Sequence, residues 1–195
     1  MWSAEDMIEA FDASVPLLVD LATDEEKVQW FNQGQARFRR PTTMEIEWSQ
    51  GDREIILPND FLAVDKLLPD EGVTPQPWNV FGRRLVLDDP DGASADGTAR
   101  LHYWGEFPEI ALDPAVDSEM TTAQDNACLS FALARFYRKL ASNRLLYTRY
   151  STLVGQNGLS TRALQREGDR HFERFLDEEQ DATLHLAAPA YYYEG

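Results

Sequence analysis

The spacing of apolar residues changes twice along this chain. From about residue 3 to residue 40 they recur every three or four positions, which is the period of an amphipathic helix. Over about 43–112 they alternate with polar residues or form short runs between turn residues, as in β-strands. Over about 121–177 the helical period returns. This order predicts an α+β fold, mainly α, in which a helical bundle carries an inserted small antiparallel β-sheet or hairpin lobe.

Capping residues predict where two of the helices begin. Thr23 can cap the amide of Glu26 while Glu26 reaches back to the amide of Thr23, so a helix is predicted over about 24–37. Thr121 or Thr122 can cap a later helix, whose apolar stripe is rich in alanine. Small residues on such a stripe permit neighbouring helices to approach closely.

Two other predicted helices contain a proline or glycines that can interrupt them. The chain opens with an amphipathic helix from about Ser3, which Pro16 kinks or divides. The last helical region contains Gly155 and Gly158, and its continuity there is left open because a glycine within a helix costs about 1 kcal/mol relative to alanine. Before these glycines, one helix is predicted to turn the following residues inward: Leu145 or Leu146, Tyr150, Leu153 and Val154.

The central region predicts a small antiparallel sheet. Segments 44–48 and 53–57 flank Ser49–Gln50–Gly51–Asp52, and together they are interpreted as a hairpin. Segment 58–67 begins as a turn or short helix, and 79–87 offers two short strands that turn near Gly82. A further strand over 99–104 places Leu101 and Tyr103 on one face and His102 and Trp104 on the other.

Residues 1–178 are predicted to form a single domain, followed by an extended C-terminal tail over 179–195. The tail contains three adjacent tyrosines, Tyr191, Tyr192 and Tyr193. Their rings can bind a neighbouring protein through apolar area and hydroxyl hydrogen bonds. A frayed chain end is the alternative, and the sequence leaves both open.

The charge is strongly acidic but unevenly distributed. Eighteen basic and 34 acidic residues give a net charge of −16, which argues against a protein that grips nucleic acid through its phosphates. Residues 121–177 instead carry nine Lys or Arg and five Asp or Glu, a net of +4. Five of these cations cluster around the junction of the last two helices: Arg135, Arg138, Lys139, Arg144 and Arg149. A nucleic-acid surface is one interpretation, and a surface for acidic protein partners or sister subunits is the favoured one.

Features of the whole chain predict synthesis in a reducing cytoplasm. Cys128 is the only cysteine, so it cannot form a disulfide within the chain. No apolar run approaches the roughly 20 residues needed to cross a bilayer, and we expect no membrane association. The first residues lack the basic region and apolar stretch of a signal peptide.

No catalytic or metal-binding motif is recognisable. His102, His171 and His185 are far apart and have no neighbours at metal-ligand spacing, and Cys128 has no adjacent base. The acidic segment 88–97 resembles a calcium loop only loosely, because the ligand spacing and closing glutamate of an EF-hand are absent, and an exposed loop explains it better. The sequence therefore predicts no enzyme, no cofactor and no metal site.

Three short segments carry a family resemblance. Ile56–Leu57–Pro58–Asn59–Asp60–Phe61 leads to Trp78–Asn79–Val80–Phe81–Gly82, and the strand Leu101–His102–Tyr103–Trp104 follows. With two helices before them and an alanine-rich and an arginine-bearing helix after them, they resemble the head-to-tail adaptor (connector) proteins of tailed bacteriophages. In that family an LP-x-DF segment and a Y-W strand recur between helical bundles. The resemblance covers about residues 3–177.

The resemblance implies a structural virion protein of the neck. Such an adaptor forms a homo-oligomeric ring, commonly a dodecamer, between the portal protein and a tail or stopper protein. The ring continues the channel through which the genome DNA passes without sequence-specific binding. In this reading residues 1–178 are a single adaptor domain, and Tyr191, Tyr192 and Tyr193 are a candidate clasp for the portal or a neighbouring subunit.

Two other function classes remain open. An acidic regulatory binding protein, such as an antitoxin or a DNA mimic, would also be small, acidic and poor in cysteine. It would bind a basic partner as a monomer or dimer and lose that binding steeply with salt. A small hydrolase or transferase that uses Asp or Glu with His102 is the least favoured class, because no catalytic constellation accompanies the histidine.

Overall fold

The structure is a computed structural model, and it describes residues 2–71, 78–87, 91–155 and 158–187, with the backbone alone at 184–187. In chain order its elements are α1 (Ala4–Ser14), a 3-10 turn (Val19–Leu21), α2 (Asp24–Gln35), β1 (Arg40–Trp48), β2 (Glu54–Ile56), β3 (Phe61–Pro69), β4 (Trp78–Val80), β5 (Arg84–Leu87), β6 (Gly97–Gly105), β7 (Ala111–Leu112), β8 (Ala115–Val116), α3 (Thr122–Ser142), α4 (Arg144–Val154) and α5 (Thr161–Ala187). The predicted mixed fold, mainly helical with small antiparallel sheets, is confirmed.

The described residues form two compact units. One contains the helices and comes from both ends of the chain, 1–38 and 107–195, whereas the other is the β unit Arg39–Glu106. The helical unit has its own apolar core, in which Phe11, Phe31 and Phe136 are fully buried.

The helix starts follow the predicted capping chemistry. The Thr23 hydroxyl accepts from the Glu26 amide at 3.3 Å, and the Glu26 carboxylate accepts from the Thr23 amide at 3.1 Å. Thr121 forms the same reciprocal arrangement with Gln124 at the start of α3. Asn143 begins α4, because its side-chain oxygen accepts from the first amides of that helix.

Helix α3 lies between α2 and α5 and approaches both closely. A Cβ placed on Gly34 of α2 would lie 3.2 Å from the Cβ of Phe131 and 3.3 Å from the Cα of Cys128. A Cβ placed on Gly168 of α5 would lie 2.9 Å from the Cγ of Arg138. Of the alanines in the predicted stripe of α3, Ala132 and Ala134 are fully buried and Ala141 is half-buried. Small residues on all three helices therefore set the helix spacing.

The last helical region is divided. Helix α4 ends at Val154, Gly155 has a φ of +58°, and α5 begins at Thr161. A positive φ favours glycine, which explains why the helix ends there. Helix α5 then runs to Ala187, beyond the predicted start of the tail at residue 179. Tyr191, Tyr192 and Tyr193 lie outside the described residues.

The β unit consists of two three-stranded antiparallel sheets, with strand orders β1-β6-β3 and β2-β5-β4. The predicted strands on either side of Gly82 are β4 and β5, and the predicted strand over 99–104 is β6. Leu101 and Tyr103 are buried, and His102 and Trp104 are half-buried, so the predicted faces of β6 are correct.

The predicted hairpin between 44–48 and 53–57 is wrong. Strand β1 pairs with β6, so that Met44 lies opposite Leu101, whereas β2 pairs with β5. The intervening turn is a corner between two sheets. Its Gly51 has a φ of +90°, and the Gly51 amide donates to the Ala93 carbonyl, which directs the chain away from β1. Segment 58–67 begins with a turn at Asn59 and Asp60, as predicted, and from Phe61 it continues as strand β3 rather than as a short helix.

We expect Gly34→Val to lower the free energy of unfolding by about 1–3 kcal/mol, because the added methyl groups would force α2 away from α3. Chemical denaturation followed by circular dichroism measures this loss. Ala13→Val is the control, since Ala13 is an exposed position of α1 and should tolerate the same side chain. A Gly34→Val protein as stable as the control would show that the helix contact does not need glycine.

Candidate functional site

The structure brings three of the five predicted cations into one cleft. Arg135, Arg138 and Lys139 lie on the second half of α3 and line a cleft of about 640 Å³. Its other walls come from α2 and α5 and include two carboxylates, Glu26 and Asp169. Arg144 and Arg149 lie on α4 and do not line this cleft. The predicted basic cluster is therefore two surfaces.

Arg138 ties α3 to α5. Its guanidinium donates to Asp169 at 2.9 Å and lies over the Phe172 ring, 4.8 Å from the centroid. Its aliphatic stem packs against the backbone of Gly168, where the two helices are closest. With one carboxylate and one ring already in contact, this side chain stabilises the helix pair.

Lys139 ties α3 to the start of α2. Its ammonium donates to the Glu26 carboxylate and lies 5.5 Å from the centroid of the Trp30 ring. The hydrogen bond from Lys139 lowers the pKa of Glu26; burial opposes this shift, and the Thr23 amide adds to it. Because Glu26 also closes the α2 capping box, one carboxylate serves both the helix start and the interhelical contact.

Three arginines of the predicted set have no carboxylate partner among the described residues. Arg135 is exposed and lies 5.9 Å from the centroid of the Phe131 ring on its own helix. Arg144 and Arg149 are exposed on α4, where no ion pair includes them within the ranges that the structure describes. These guanidiniums are therefore the ones that can contact another molecule.

Helix α4 exposes two leucines, of which the sequence analysis placed Leu153 inward and left Leu145 as an alternative to Leu146. Leu145 is 73% exposed and Leu153 is 56% exposed, and Arg149 lies between them at a spacing of four residues. Leu146, Tyr150 and Val154 turn inward instead, so the inward orientation predicted for Leu153 is wrong. The two rows are offset by one residue. The inner row is apolar or aromatic at every fourth position, whereas the outer row has Arg149 between its leucines, so this arginine was the available signal for the outward side.

Two of the three segments that carry the family resemblance, 56–61 and 101–104, meet inside the β unit. The Asp60 carboxylate accepts from the Arg40 guanidinium at 2.9 Å and from the Tyr103 hydroxyl at 3.2 Å. The Phe61 and Tyr103 rings lie 5.8 Å apart, and a Cβ on Gly105 would lie 2.9 Å from the Asp60 carboxylate. Burial, and then the charge of Asp60, raise the pKa of Tyr103. The motif residues therefore hold β1, β3 and β6 together.

Lys27 is a buried charged residue, of the kind often found in functional sites, that the sequence analysis did not identify. The Lys27 ammonium contacts Asp12 at 2.8 Å and Asp24 at 2.9 Å, and its side chain is 3% exposed. Burial favours the neutral amine, but the bonds to the two carboxylates outweigh it and raise the pKa of Lys27. Through its contact with Asp12, Lys27 links α2 to α1, so the role of this lysine is structural. The Asp24 to Lys27 spacing of three residues was the available signal.

The histidines and the cysteine occupy separate places. His102 Nδ1 lies 3.0 Å from the Thr43 hydroxyl across the β1–β6 pair. The His171 ring stacks on Tyr137 at a centroid distance of 5.4 Å, and burial lowers the pKa of His171. Cys128 is fully buried, and burial raises the pKa of its thiol. The side chain of His185 lies outside the description. Among the described side chains, His102, His171 and Cys128 have no contact with one another.

The acidic loop is described only in part. Residues 88–90 lie outside the described residues. Asp96 accepts from the Gln50 amide at 2.7 Å, and Asp52 accepts from the Ser49 amide at 2.7 Å. Both carboxylates therefore bond the backbone of the corner turn. That this segment is an exposed loop and not a calcium site stays a prediction.

Comparison with known proteins found no match, either among protein-family models or among curated proteins. In the described part of the chain, no three or more His, Cys, Asp or Glu side chains are grouped so that they could hold a metal ion. No helix in the same residues is both long and apolar enough to cross a membrane.

We expect Lys139→Met to lower the free energy of unfolding at pH 7 by about 0.5–1 kcal/mol, a small value because water screens a pair whose side chains are 28% and 36% exposed. The lowered pKa of Glu26 means that this stability is present above the ordinary glutamate pKa of 4.5 and is lost as the pH falls below it. The variant and wild-type curves should therefore converge in acid.

Urea denaturation at several pH values measures this convergence. Arg144→Met is the matched control, because Arg144 has no carboxylate partner among the described residues and its removal should give no pH-dependent difference. Parallel curves for Lys139→Met and wild type at every pH would contradict a stabilising bond to Glu26.

Proposed function

We propose that this chain is a structural virion protein, a head-to-tail adaptor that forms a homo-oligomeric ring between the portal and the tail and continues the DNA channel. The observation that carries the proposal is the exposed face of α4, where Leu145 and Leu153 flank Arg149. A face of this kind is suited to contact with another protein.

The leucines distinguish a protein contact from a nucleic-acid contact. A phosphate could bond Arg149, but it would leave Leu145 and Leu153 in water. A protein surface can cover both leucines and supply a carboxylate for the arginine, so it buries apolar area and satisfies the charge together. The net charge of −16 also opposes general binding to DNA.

The architecture supports the same proposal. Two helices precede the β unit, and the alanine-rich α3 and the arginine-bearing α4 follow it, in the order of the adaptor resemblance; α5 is a further helix. Two of the three resembling segments, 56–61 and 101–104, contact each other through Asp60, Phe61 and Tyr103. A short pattern that recurs because it holds a fold together is compatible with surfaces that differ between family members.

The acidic balance fits a protein around a DNA channel. A ring multiplies the charge of −16 by the number of subunits, so the assembly repels a polyanion on average. DNA then passes an acidic wall without adhering to it. Closure of a ring also requires two different patches on each subunit, and the separation of the basic α3–α4 region from the acidic remainder provides chemically distinct surfaces.

The test is assembly with the portal protein encoded by the same genome. We expect light scattering to detect a ring-sized oligomer of the purified chain, alone or after mixing with the portal, and electron microscopy to show annular particles with a central channel. A chain that stays monomeric or dimeric in both conditions would contradict the proposal. A stoichiometric complex with a basic protein that dissociates steeply with salt would favour the acidic regulator instead.

The C-terminal tyrosines form part of the same proposal, as a clasp on a neighbouring protein. We expect deletion of residues 188–195 to leave the helical unit folded, because the buried contacts of α5 through Leu164 and Phe175 precede the deletion. The truncated chain should bind the portal or its own ring more weakly in co-sedimentation. Replacement of Tyr191, Tyr192 and Tyr193 by serine is the control for chain length. Unchanged co-sedimentation of both proteins would remove the tyrosines from this role.

A further inference from the structure

The exposed row of α4 cannot pair with itself across a two-fold axis. Leu145, Arg149 and Leu153 are spaced four residues apart, so the row extends over about 12 Å of helix surface. In a symmetric contact of two such rows the central guanidiniums would meet, and their like charges would repel. The row therefore requires a different surface, one with a carboxylate near its centre and apolar area on either side.

The helical unit contains a groove with that chemistry. It lies between α2 and residues 109–113 and has a volume of about 710 Å³. Its acidic members are Glu25, Glu109 and Asp113, all exposed, and within the described ranges no basic side chain forms an ion pair with them. Val28, Ala36 and Leu112 supply apolar lining, and Leu112 is 37% exposed.

The walls of the groove are held in place by hydrogen bonds. The Asn32 side chain donates to the Ile110 carbonyl at 2.9 Å and accepts from the Ile110 amide at 2.9 Å. The Gln35 amide donates to the Pro108 carbonyl at 2.7 Å. The segment before β7 is thereby fixed against α2. The groove is therefore ordered before a partner binds, and binding costs less conformational entropy.

Building on the proposed ring, we infer that the α4 row of one copy occupies the α2 groove of the next copy. Arg149 faces the carboxylates of Glu25, Glu109 and Asp113, and the two leucines cover the apolar lining. Charge complementarity identifies a second copy as the occupant, because the same chain presents unpaired guanidiniums on α4 and unpaired carboxylates at the groove. The two patches are different surfaces, so successive copies join head to tail and can close into a ring.

Charge reversal tests this pairing. Arg149→Glu and Glu109→Lys should each weaken subunit association at least about tenfold, because each places like charges across the contact. A 1:1 mixture of the two variants should assemble again, since each supplies the patch that the other lacks and the two reversed patches also match each other. The double variant Arg149→Glu/Glu109→Lys should assemble on its own. Sedimentation velocity measures the oligomer, with the portal present if wild type needs it.

The controls carry the same charge changes elsewhere. Arg162→Glu on α5 and Glu9→Lys on α1 alter exposed residues outside both patches and should leave assembly at the wild-type level. Thermal unfolding of every variant verifies that the helical unit is intact.

The possible outcomes separate this inference from the function on which it rests. If wild type forms the ring and the single variants also form it, or if neither the mixture nor the double variant restores assembly, the pairing is overturned and the adaptor function stands. If wild type remains monomeric alone and with the portal, the adaptor function is overturned and the pairing falls with it.

Discussion

The close approach of α3 to two other helices is the contact on which the helical unit depends. Gly34 of α2 and Gly168 of α5 each leave room for only a hydrogen where α3 passes. Ala127, Ala132 and Ala134 of α3 are fully buried, as are the large aromatic rings of Phe136 and Phe175. The core thus combines close helix contacts at small residues with large aromatic side chains. This combination fixes the rotation of each helix and its distance from α3.

This packing also decides which charges are available to other molecules. Lys27, Arg138 and Lys139 lie where helices meet, and each has a carboxylate from a neighbouring helix within hydrogen-bond distance. Helix α4 contacts its neighbours through one side only, so its arginines and leucines on the other side remain exposed. A basic cluster in the sequence is therefore not one functional surface. The helix contacts use part of it, and the rest is exposed.

Much of the fold follows from local sequence, and the errors concern contacts between distant residues. Thr23 and Thr121 cap their helices through side chains three residues away, which is information a sequence contains directly. The alternation from Met44 to Trp48 predicts a strand and its faces, but nothing local indicates that β6 rather than β2 is its partner. For α4, the inward side was misassigned at Leu153, although Arg149, four residues before it, indicates that this row faces outward. The groove beside α2 was not predicted because residues 109–113 are far from α2 in sequence.

The position of Cys128 has a practical consequence. The sulfur is fully buried beside the backbone of Gly34, and burial keeps the thiol protonated, whereas maleimides and other thiol reagents attack the thiolate. A cysteine introduced on the surface would accordingly be the single reactive thiol of an otherwise native chain. Fluorophores or spin labels can then be attached at chosen surface sites without first removing a residue from the core.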